Sequence, residues 1–316
     1  MRDGSALAID EVRYREAEQR LWQWAGMAPT ERRLELARSG ATVRVQEAGE
    51  GPPVVFVHGA SNGGASWATL VNRLDGFRCI LLDRPGCCLS PPLGTRFDDV
   101  ERLASFADAL VVDVLDALGL DNAHLVGTSF GGYIALRSAA AHPDRIRRLL
   151  LFGWSVGAPI AVTPLVMRMG SIPLLGRLTG AVPPTRRMVK GMLRQIGLRG
   201  AVDSGRFTEE MVDWFLAMLR YTDTMANELR AGPRIITPLR GMNDSILLPA
   251  SLLGSITVPT FFLWGGDDPM GGADTAHAFS ALVPGAQLEV MPGAGHAPWI
   301  DDPDHAAAVT SAFLRS

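Results

Sequence analysis

A ten-residue stretch near the middle of this 316-residue chain restricts its fold more than any other segment. Residues 123–126 form a short apolar run typical of a buried strand, and residues 134–141 form a helix rich in small side chains. Between them lies Gly127-Thr128-Ser129-Phe130-Gly131, a Gly-x-Ser-x-Gly sequence. At a strand-to-helix junction this sequence makes a sharp turn that exposes a serine hydroxyl above a sheet. Glycine is needed on both sides, because a Cβ there would collide with the neighbouring strand or helix. We therefore predict that Ser129 is a nucleophile at the carboxyl end of a strand.

The order of the predicted elements indicates an α/β fold. Apolar runs and amphipathic runs alternate from residue 53 to residue 152, and the alternation resumes at residue 258. The predicted strands are 53–57, 79–83, 123–126, 147–152, 258–264 and 287–291, and the predicted helices are 67–74, 100–118, 134–141, 273–282 and 303–313. Such alternation predicts a mostly parallel sheet with helices on both faces. An amphipathic helix at 7–27 and an antiparallel hairpin at 33–45 precede this region.

Residues 155–255 interrupt the alternation. They contain Pro, Gly, Met and helical segments but no convincing strand, so we interpret them as an insertion after the strand at 147–152. An insertion at the carboxyl end of a strand lies at the edge where open α/β sheets bind ligands. We therefore predict a helical lid at 155–255, a core made of 30–154 and 256–316, and an N-terminal helical extension at 1–29.

A histidine and a pair of aspartates downstream complete a candidate catalytic set. A serine nucleophile needs a base and a group that orients the base, and for this turn the chain order is Ser, then Asp or Glu, then His. His296 lies in a glycine-rich loop directly after a predicted strand, which makes it the predicted base. Residues 145–202 contain no Asp or Glu, so the acid must come from a later strand. The next strand ends in Asp267 and Asp268, and only one of these neighbours can face the imidazole.

A glycine-rich loop at residues 58–64 joins a predicted strand to a predicted helix. The loop lacks the Gly-x-Gly-x-x-Gly spacing of a dinucleotide site, so a phosphate-binding role is disfavoured. We interpret it as a loop whose backbone N–H groups receive an oxyanion. In this interpretation His58 is a structural residue of the loop and not a base.

Five motifs of the chain resemble those of the α/β-hydrolase superfamily. They are His58-Gly59, Asp83-Arg84-Pro85-Gly86, Gly127-Thr128-Ser129-Phe130-Gly131-Gly132, Gly265-Gly266-Asp267-Asp268 and Gly293-Ala294-Gly295-His296. The resemblance implies the α/β-hydrolase fold, with Asp268 as the acid beside His296. It also implies that the backbone N–H groups of Phe130 and Ala60 form the oxyanion hole. The chain departs from the pattern at Cys88, where the superfamily usually has glycine.

Several activities of the superfamily can be separated by the residues present. Haloalkane dehalogenases and epoxide hydrolases of this type use an aspartate nucleophile, whereas position 129 is serine. The epoxide hydrolases also use two lid tyrosines, whereas the predicted lid of this chain contains only Tyr221. Carbon–carbon bond hydrolases of ring-cleavage pathways share the serine but typically have Trp after the catalytic histidine, where this chain has Ala297. We therefore predict a carboxylesterase-like serine hydrolase that acts on a small to medium hydrophobic ester. A carbon–carbon hydrolase is the alternative, and a non-catalytic ligand-binding protein of the same fold is a third interpretation.

Two patterns in the predicted lid bear on specificity. A predicted helix at 208–229 carries an apolar stripe at helical spacing, which we interpret as the wall of a hydrophobic substrate pocket. The stripe consists of Met211, Phe215, Met218 and Leu219. The first half of the lid is basic without one acid, and its cations are Arg168, Arg177, Arg186, Arg187, Lys190, Arg194 and Arg199. A solvated helix face is the favoured interpretation of these charges, and an anionic substrate or an acidic membrane surface is the alternative.

Composition limits the partners, the location and the cofactors. A net charge of −3 argues against nucleic acid as the main partner, and no apolar run approaches the ~20 residues of a membrane span. The N-terminus shows no secretory signal, and three cysteines cannot form a disulfide framework, so we expect a cytoplasmic protein. With no His-Glu-x-x-His, no cysteine–histidine cluster and no nucleotide fingerprint, we expect neither a metal nor an organic cofactor. The sequence does not predict the oligomeric state.

Overall fold

Eight strands of the computed structural model form one sheet, and a pair of two-residue strands lies apart from it. The structure describes residues 10–94, 99–160, 183–228, 236–237 and 241–316. The strands of the sheet are β1 (Thr30–Glu35), β2 (Thr42–Ala48), β3 (Pro53–Val57), β4 (Arg78–Asp83), β5 (Ala123–Thr128), β6 (Ile146–Ser155), β9 (Thr260–Gly265) and β10 (Gln287–Met291). The separate pair is β7 (Ile236–Thr237) with β8 (Gly241–Met242).

The strand order across the sheet is β1-β2-β4-β3-β5-β6-β9-β10. The pairings β1–β2 and β2–β4 are antiparallel, and all the others in this sheet are parallel. Each connection between consecutive parallel strands contains a helix. β3 lies between β4 and β5, so the chain reverses its direction across the sheet after β4. The predicted mostly parallel sheet is therefore confirmed.

Helices cover both faces of the sheet. Their bounds are α1 (Glu11–Trp24), α2 (Ala68–Val71), α3 (Val100–Leu118), α4 (Ser129–Ala141), α5 (Arg186–Gln195), α6 (Arg199–Asp203), α7 (Glu209–Tyr221), α8 (Ala250–Gly254), α9 (Ala273–Ser280), α10 (Pro298–Asp301) and α11 (Pro303–Arg315). Val54 and Phe56 of β3 join one buried apolar cluster, and Val55 and Val57 join the other. Successive side chains of a strand point to opposite faces, so a continuous apolar run is buried only where both faces are covered. Among the described helices, none is long and apolar enough to cross a bilayer.

Between β6 and β9 the structure corrects two sequence predictions. The helix predicted at 208–229 ends at Tyr221, because Thr222 takes an extended conformation with φ −130° and ψ 163°, and a separate helical segment follows at 224–228. The region predicted to lack strands contains the short antiparallel pair β7–β8. The predicted basic residues Arg168 and Arg177 lie outside the described residues. The division into extension, core and lid stays a prediction.

The predicted N-terminal helix is α1, and it packs along α7. Asp10 caps the helix, since its side chain accepts a hydrogen bond from the N–H of Arg13 at 3.2 Å. Trp214 of α7 donates its indole N–H to the hydroxyl of Tyr14 at 3.2 Å, and that hydroxyl donates to Glu18 at 2.8 Å. The extension is thereby tied to an element of the predicted lid by a buried hydrogen-bond chain.

A buried ion cluster fixes α1 to the sheet. Arg44 of β2 is 1% exposed, and its Nη1 donates to Glu18 Oε1 at 2.9 Å and to Asp83 Oδ2 at 3.0 Å. The other oxygen of Asp83, Oδ1, accepts the backbone N–H of Gly64 at 2.7 Å. One guanidinium thus serves two buried carboxylates, and one of them holds the loop that follows β3. Since a charge left alone in such a site is costly, each member depends on the others.

Arg44→Met is expected to lower the free energy of unfolding by about 3–5 kcal/mol, the usual cost of leaving a buried charge without its partner. Urea unfolding measures this loss. Arg32→Met is the matched control, because Arg32 lies on the adjacent strand, is 47% exposed and pairs with Glu47 at the surface. Its loss should stay below about 1 kcal/mol. Equal losses in the two variants would contradict the assigned role of the buried cluster.

Candidate active site

Ser129 stands at the junction of β5 and α4 in a strained turn. Its φ is +53°, in the left-handed region that non-glycine residues rarely adopt. A Cβ on Gly131 would lie 2.0 Å from the carbonyl oxygen of Val57, and a Cβ on Gly127 would lie 2.8 Å from the carbonyl oxygen of Gly131. The structure therefore gives the steric reason that the sequence predicted for both glycines. The side chain of Ser129 is half-buried and lies above the carboxyl end of β5.

His296 and Asp268 form a hydrogen-bonded pair at the same edge of the sheet. The Nδ1 of His296 lies 2.8 Å from Oδ2 of Asp268, which also accepts the backbone N–H of Trp154 at 2.9 Å. The other carboxylate oxygen, Oδ1, accepts the N–H of Met270 at 3.0 Å. When Nδ1 carries the hydrogen, Nε2 is left as an acceptor, which is the tautomer that a general base requires. Asp267 is exposed, so the structure brings Asp268 and not its neighbour to the imidazole.

Three adjacent strands bring these groups to one edge. Ser129 follows β5, Trp154 lies near the end of β6, and Asp268 follows β9, while β5, β6 and β9 are neighbours in the sheet. Gly153 has φ +63°, and a Cβ there would lie 2.6 Å from the carbonyl oxygen of His296 and 3.4 Å from Asp268 Oδ2. A glycine at this point of β6 thus lets the histidine loop and the aspartate approach the strand.

The two predicted oxyanion donors flank Ser129. Phe130 lies in the first turn of α4, where the backbone N–H groups have no partner within the helix and form the positive end of its dipole. Ala60 is exposed and follows β3 by three residues. The loop is close to the serine, because a Cβ on Gly59 would lie 2.8 Å from Ser129 Cβ and 3.4 Å from its Oγ. The catalytic and oxyanion roles themselves stay predictions.

His58 has the environment of a structural residue. It is fully buried, its Nε2 accepts the backbone N–H of Arg84 at 3.1 Å, and its Nδ1 lies 2.7 Å from the carbonyl oxygen of Gly59. Burial, together with the neighbouring Arg84 guanidinium, holds the pKa of His58 well below its usual range. A neutral imidazole with both nitrogens engaged fits the predicted role in shaping the loop.

Asp301 is a residue of the site that the sequence analysis missed. Its Oδ2 accepts the backbone N–H of Gly295 at 2.8 Å, directly before His296. The side chain is buried, and desolvation raises its pKa from 3.8 to about 6. The run Asp301-Asp302-Pro303 indicates a helix start, and Asp302 is indeed the cap of α11. The helix-start pattern explains Asp302 but gives no sign that Asp301 holds the histidine loop.

Asp301→Asn is expected to change the pH dependence of stability. The folded-state pKa of Asp301 lies above the unfolded value, so its contribution to stability is present below about pH 4 and is lost as the pH rises through 6. Asn keeps an acceptor for Gly295 without titrating. The variant should therefore gain about 1 kcal/mol in unfolding free energy relative to wild type between pH 5 and pH 7. Urea unfolding at both pH values tests this, with exposed Asp304→Asn as the control. A difference that does not change with pH would contradict the shift.

The predicted pocket wall lies on α7. Met211, Phe215 and Met218 are buried and Leu219 is half-buried, and all four belong to or pack against the apolar cluster on one face of the sheet. The side chains of α7 that form a groove with α1 are a different set, namely Asp213, Leu216, Ala217, Arg220 and Tyr221. The stripe therefore faces away from that groove. Whether the stripe contacts a substrate stays a prediction.

Three of the described cations of the basic segment, Arg186, Lys190 and Arg194, are engaged with acids of neighbouring helices. Arg186 pairs with Glu209 at 2.6 Å, Lys190 pairs with the same carboxylate at 2.6 Å, and Arg194 pairs with Asp203 at 2.7 Å. Arg186 also contacts Asp213. These pairs tie α5 to α6 and α7, and they neutralise the charges of Arg186, Lys190 and Arg194 without an anionic ligand or surface.

Cys88 occupies a backbone position that favours glycine. Its φ is +50°, which explains why glycine is usual there in the motif. Its backbone N–H donates to Thr224 Oγ1 at 2.7 Å, so the loop after β4 is held by the helical segment 224–228. Cys79, Cys87 and Cys88 are all buried free thiols.

Comparisons with known proteins bear on the family and the fold of the chain. A family model described as "Alpha/beta hydrolase family" matches residues 54–309. The chain is 29% identical over 268 residues to a 2-hydroxy-6-oxononadienedioate/2-hydroxy-6-oxononatrienedioate hydrolase of Cupriavidus pinatubonensis, covering 81% of this chain and 83% of the relative. It is 31% identical over 269 residues to a 2-hydroxy-6-oxo-6-phenylhexa-2,4-dienoate hydrolase of Burkholderia cepacia, covering 83% and 87%.

A solved structure gives the same fold. The 2-hydroxy-6-oxo-6-phenylhexa-2,4-dienoate hydrolase of Rhodococcus sp. strain RHA1 superposes with a TM-score of 0.75 at 20% identity, over 92% of this chain and 100% of the other. At this identity the likeness concerns the fold alone.

Proposed function

Because the chain belongs to the alpha/beta hydrolase family, we propose that it is a serine hydrolase whose nucleophile is Ser129. His296 is the general base and Asp268 orients it. The observation that carries this proposal is the 2.8 Å contact between His296 Nδ1 and Asp268 Oδ2, at the same sheet edge as the strained turn of Ser129.

In the proposed reaction the Oγ of Ser129 adds to a carbonyl carbon of the substrate while His296 Nε2 takes the hydroxyl proton. The carbonyl oxygen becomes an oxyanion that accepts hydrogen bonds from the N–H groups of Phe130 and Ala60. Collapse of this intermediate expels the leaving group, to which His296 returns the proton. Water, activated by His296, then hydrolyses the acyl-serine and regenerates the enzyme.

For the substrate we propose a ring-cleavage product of the 2-hydroxy-6-oxo-dienoate class. Two relatives, 29% and 31% identical over about four fifths of the chain, act by name on such compounds. These compounds contain no ester or amide, so hydrolysis must break the carbon–carbon bond beside the 6-oxo group. The dienoate therefore replaces the ester as the leading candidate substrate. The similarity to two dienoate hydrolases is stronger evidence than the single departure at Ala297, where such enzymes typically have Trp.

The chemistry of this substrate adds one demand on the site. Cleavage between C5 and C6 leaves an electron pair on C5, which is a poor leaving group unless the 2-hydroxydienoate has first become the 2-oxo tautomer, whose conjugated carbonyl accepts the pair. The tautomerisation moves the 2-hydroxyl proton to C5, and after cleavage the electron pair passes along the conjugated chain to the C2 oxygen, which takes up a proton. C6 takes the hydroxyl of water, so one water molecule is consumed. We assign these proton transfers to His296.

Ester hydrolysis is the second candidate, and charge favours it. The substrates in the relatives' names are carboxylates, which call for a cation in the site. Arg186, Lys190 and Arg194 are paired with acids, and Arg84 beside the oxyanion loop pairs with Glu228 at 2.5 Å. A neutral ester needs no further cation.

A substrate panel separates the two candidates. Rates are measured with 2-hydroxy-6-oxo-6-phenylhexa-2,4-dienoate and with 4-nitrophenyl acetate, butyrate and octanoate, each at low and high salt. The proposal expects kcat/KM for the dienoate to exceed that of every ester by at least ~100-fold at both salt concentrations. Rapid ester turnover with negligible loss of dienoate would establish the esterase instead.

We further propose that the segments between β6 and β9 act as a lid and that Met211, Phe215, Met218 and Leu219 line its apolar pocket. Their burial on the face of α7 that avoids the groove with α1 supports this assignment. The reaction as written needs no metal or organic cofactor. A cytoplasmic location also stays a proposal, supported by the buried free thiols.

A further inference from the structure

Arg84, the residue directly after β4, has a role that the proposed reaction does not assign. It is 5% exposed, so its guanidinium is not presented to bulk solvent. Its Nε donates to the carbonyl oxygen of His58 at 3.1 Å, and its Nη2 donates to the carbonyl oxygen of Gly59 at 2.9 Å. Both carbonyls belong to the loop that carries Ala60. The buried guanidinium of Arg84 thus donates hydrogen bonds to the backbone of the oxyanion loop.

The geometry of the peptide unit turns this contact into control of an oxyanion donor. The carbonyl of Gly59 and the N–H of Ala60 belong to the same planar peptide. In a trans peptide the C=O and the N–H point in opposite directions. Arg84 holds the Gly59 oxygen on the side of the peptide that faces its guanidinium. The N–H of Ala60 therefore points to the opposite side of that peptide. Gly59 itself lies against Ser129, so that N–H is held beside the nucleophile.

The same guanidinium also contacts the residue that supplies the second donor. The Cζ of Arg84 lies 4.7 Å from the centroid of the Phe130 ring, within the range of a cation–π interaction. Phe130 contributes its backbone N–H from the first turn of α4. One side chain therefore fixes the loop of one donor and packs on the side chain of the other.

A segment from the predicted lid region holds Arg84 in place. Glu228 accepts from Arg84 Nη2 at 2.5 Å and lies 3.2 Å from the Sγ of Cys87. Asn227 donates its side-chain amide to the carbonyl oxygen of Gly86 at 2.7 Å. Cys88 also donates its backbone N–H to Thr224. Thr224, Asn227 and Glu228 of the segment 224–228 therefore all hydrogen bond to the loop after β4. The charge of Arg84 is thereby neutralised without being offered to a substrate.

We propose that Arg84 is a positioning residue that aligns the oxyanion hole, and that Glu228 couples this alignment to the segment 224–228. The inference rests on the proposed function, because it assigns the Ala60 and Phe130 N–H groups to an oxyanion. Arg84 does not touch the reacting atoms. It acts through the Gly59–Ala60 peptide, so its effect appears in the transition state and not in the binding of the ground state.

The test compares Arg84→Met, Arg84→Lys and Glu228→Ala with wild type. Arg102→Met is the control, since Arg102 is 64% exposed on α3 and pairs with Asp99. A separate aliquot of each protein is labelled to completion with a fluorophosphonate to count active sites, and the kinetics use unlabelled enzyme. Then kcat and KM are measured per site with 4-nitrophenyl acetate and with the phenyl dienoate. The inhibition constant of an aryl trifluoromethyl ketone, which forms a tetrahedral anion on serine, is measured in parallel.

For Arg84→Met we expect kcat per site to fall ~10²-fold, near the lower end of the cost of losing one oxyanion donor. KM should change less than ~3-fold, and the trifluoromethyl ketone should bind more weakly by the same factor as kcat/KM. Arg84→Lys should recover part of the loss, because it keeps the charge but not the planar fork. Glu228→Ala should show the same pattern at ~10-fold, and it carries the test if Arg84→Met does not fold.

Two results would overturn the inference while leaving the proposed function in place. One is a wild-type kcat per labelled site in Arg84→Met, or in Glu228→Ala if only that variant folds. The other is a loss confined to KM. If wild type itself takes no label at Ser129, the proposed function fails and the inference fails with it. A purely structural role would lower the number of labelled sites without weakening the ketone at the sites that remain.

Discussion

Replacement of Ser129 by alanine is expected to lower kcat about 10⁶-fold for whichever substrate of the panel wild type turns over fastest. Removal of the nucleophile from a serine triad has had an effect of this size, because the base and its aspartate cannot act without it. Alanine carries a Cβ like serine, so the backbone strain at φ +53° is retained and the variant should unfold at about the same urea concentration as wild type.

The comparison needs a serine that is outside the site. Ser255 is exposed at the end of α8, and its hydroxyl donates to the carbonyl oxygen of Leu252 at 2.8 Å. Ser255→Ala should keep wild-type kcat. Retention of more than about 1% of the activity in Ser129→Ala, with the fold intact, would contradict the assignment of the nucleophile. Removal of the serine from such a triad lowers kcat by far more than ~100-fold.

Replacement of Asp268 by asparagine is expected to lower kcat about 10⁴-fold. The carboxylate accepts from His296 Nδ1 and from the N–H groups of Trp154 and Met270. An amide in its place can present N–H to the imidazole, which favours the tautomer with hydrogen on Nε2 and removes the base. Kinetics at pH 8 with the panel substrates measure the loss.

The adjacent aspartate is a built-in control. Asp267 is exposed, and its backbone N–H, which the substitution keeps, donates to the carbonyl oxygen of Ala294 at 2.9 Å. Asp267→Asn should therefore stay within about twofold of wild type, as expected for an exposed residue away from the reacting groups. If Asp267→Asn were the crippled variant instead, the histidine would take its orientation from the other carboxylate.

The regular elements were predictable from sequence, because the spacing of apolar residues within one segment indicates which of its side chains are buried. The strands 53–57 and 287–291 and the helix 100–118 match β3, β10 and α3 residue for residue. The continuous apolar run of β3 predicts a strand covered on both faces, and its side chains are buried in both apolar clusters. The turn at Ser129 was predictable because Gly-x-Ser-x-Gly at a strand-to-helix junction is specific for it. In the structure a Cβ on Gly127 or Gly131 would meet backbone atoms, those of Gly131 and Val57 respectively.

Features that depend on distant partners were not predictable. The alternation of valines with Arg44 and Gln46 in β2 indicates a solvent-facing side, yet both polar residues are buried because α1 covers them. The helix pattern continues past Tyr221, but Thr222 and Thr224 leave it to hydrogen bond with one another and with the loop at Cys88. Asp301 likewise combines a local helix-start pattern with a contact to the histidine loop.

The substrate was the least accessible part of the function. The departure at Ala297 favoured an ester over a carbon–carbon bond, but one residue beside the base does not define a pocket. Specificity depends on lid side chains whose sequence pattern is that of any amphipathic helix. The relatives shift the balance toward the dienoate, and only turnover of the panel decides between the two bonds.

The central claim is that Ser129 is an activated nucleophile, and covalent trapping tests it most directly. Wild type and Ser129→Ala are treated with a fluorophosphonate at pH 8, and intact mass with peptide mapping locates the adduct. The account predicts one adduct per wild-type chain, on the peptide that contains Ser129, a much slower reaction in Asp268→Asn, and no adduct in Ser129→Ala. An unmodified wild type, or an adduct that persists on another residue in Ser129→Ala, would contradict it.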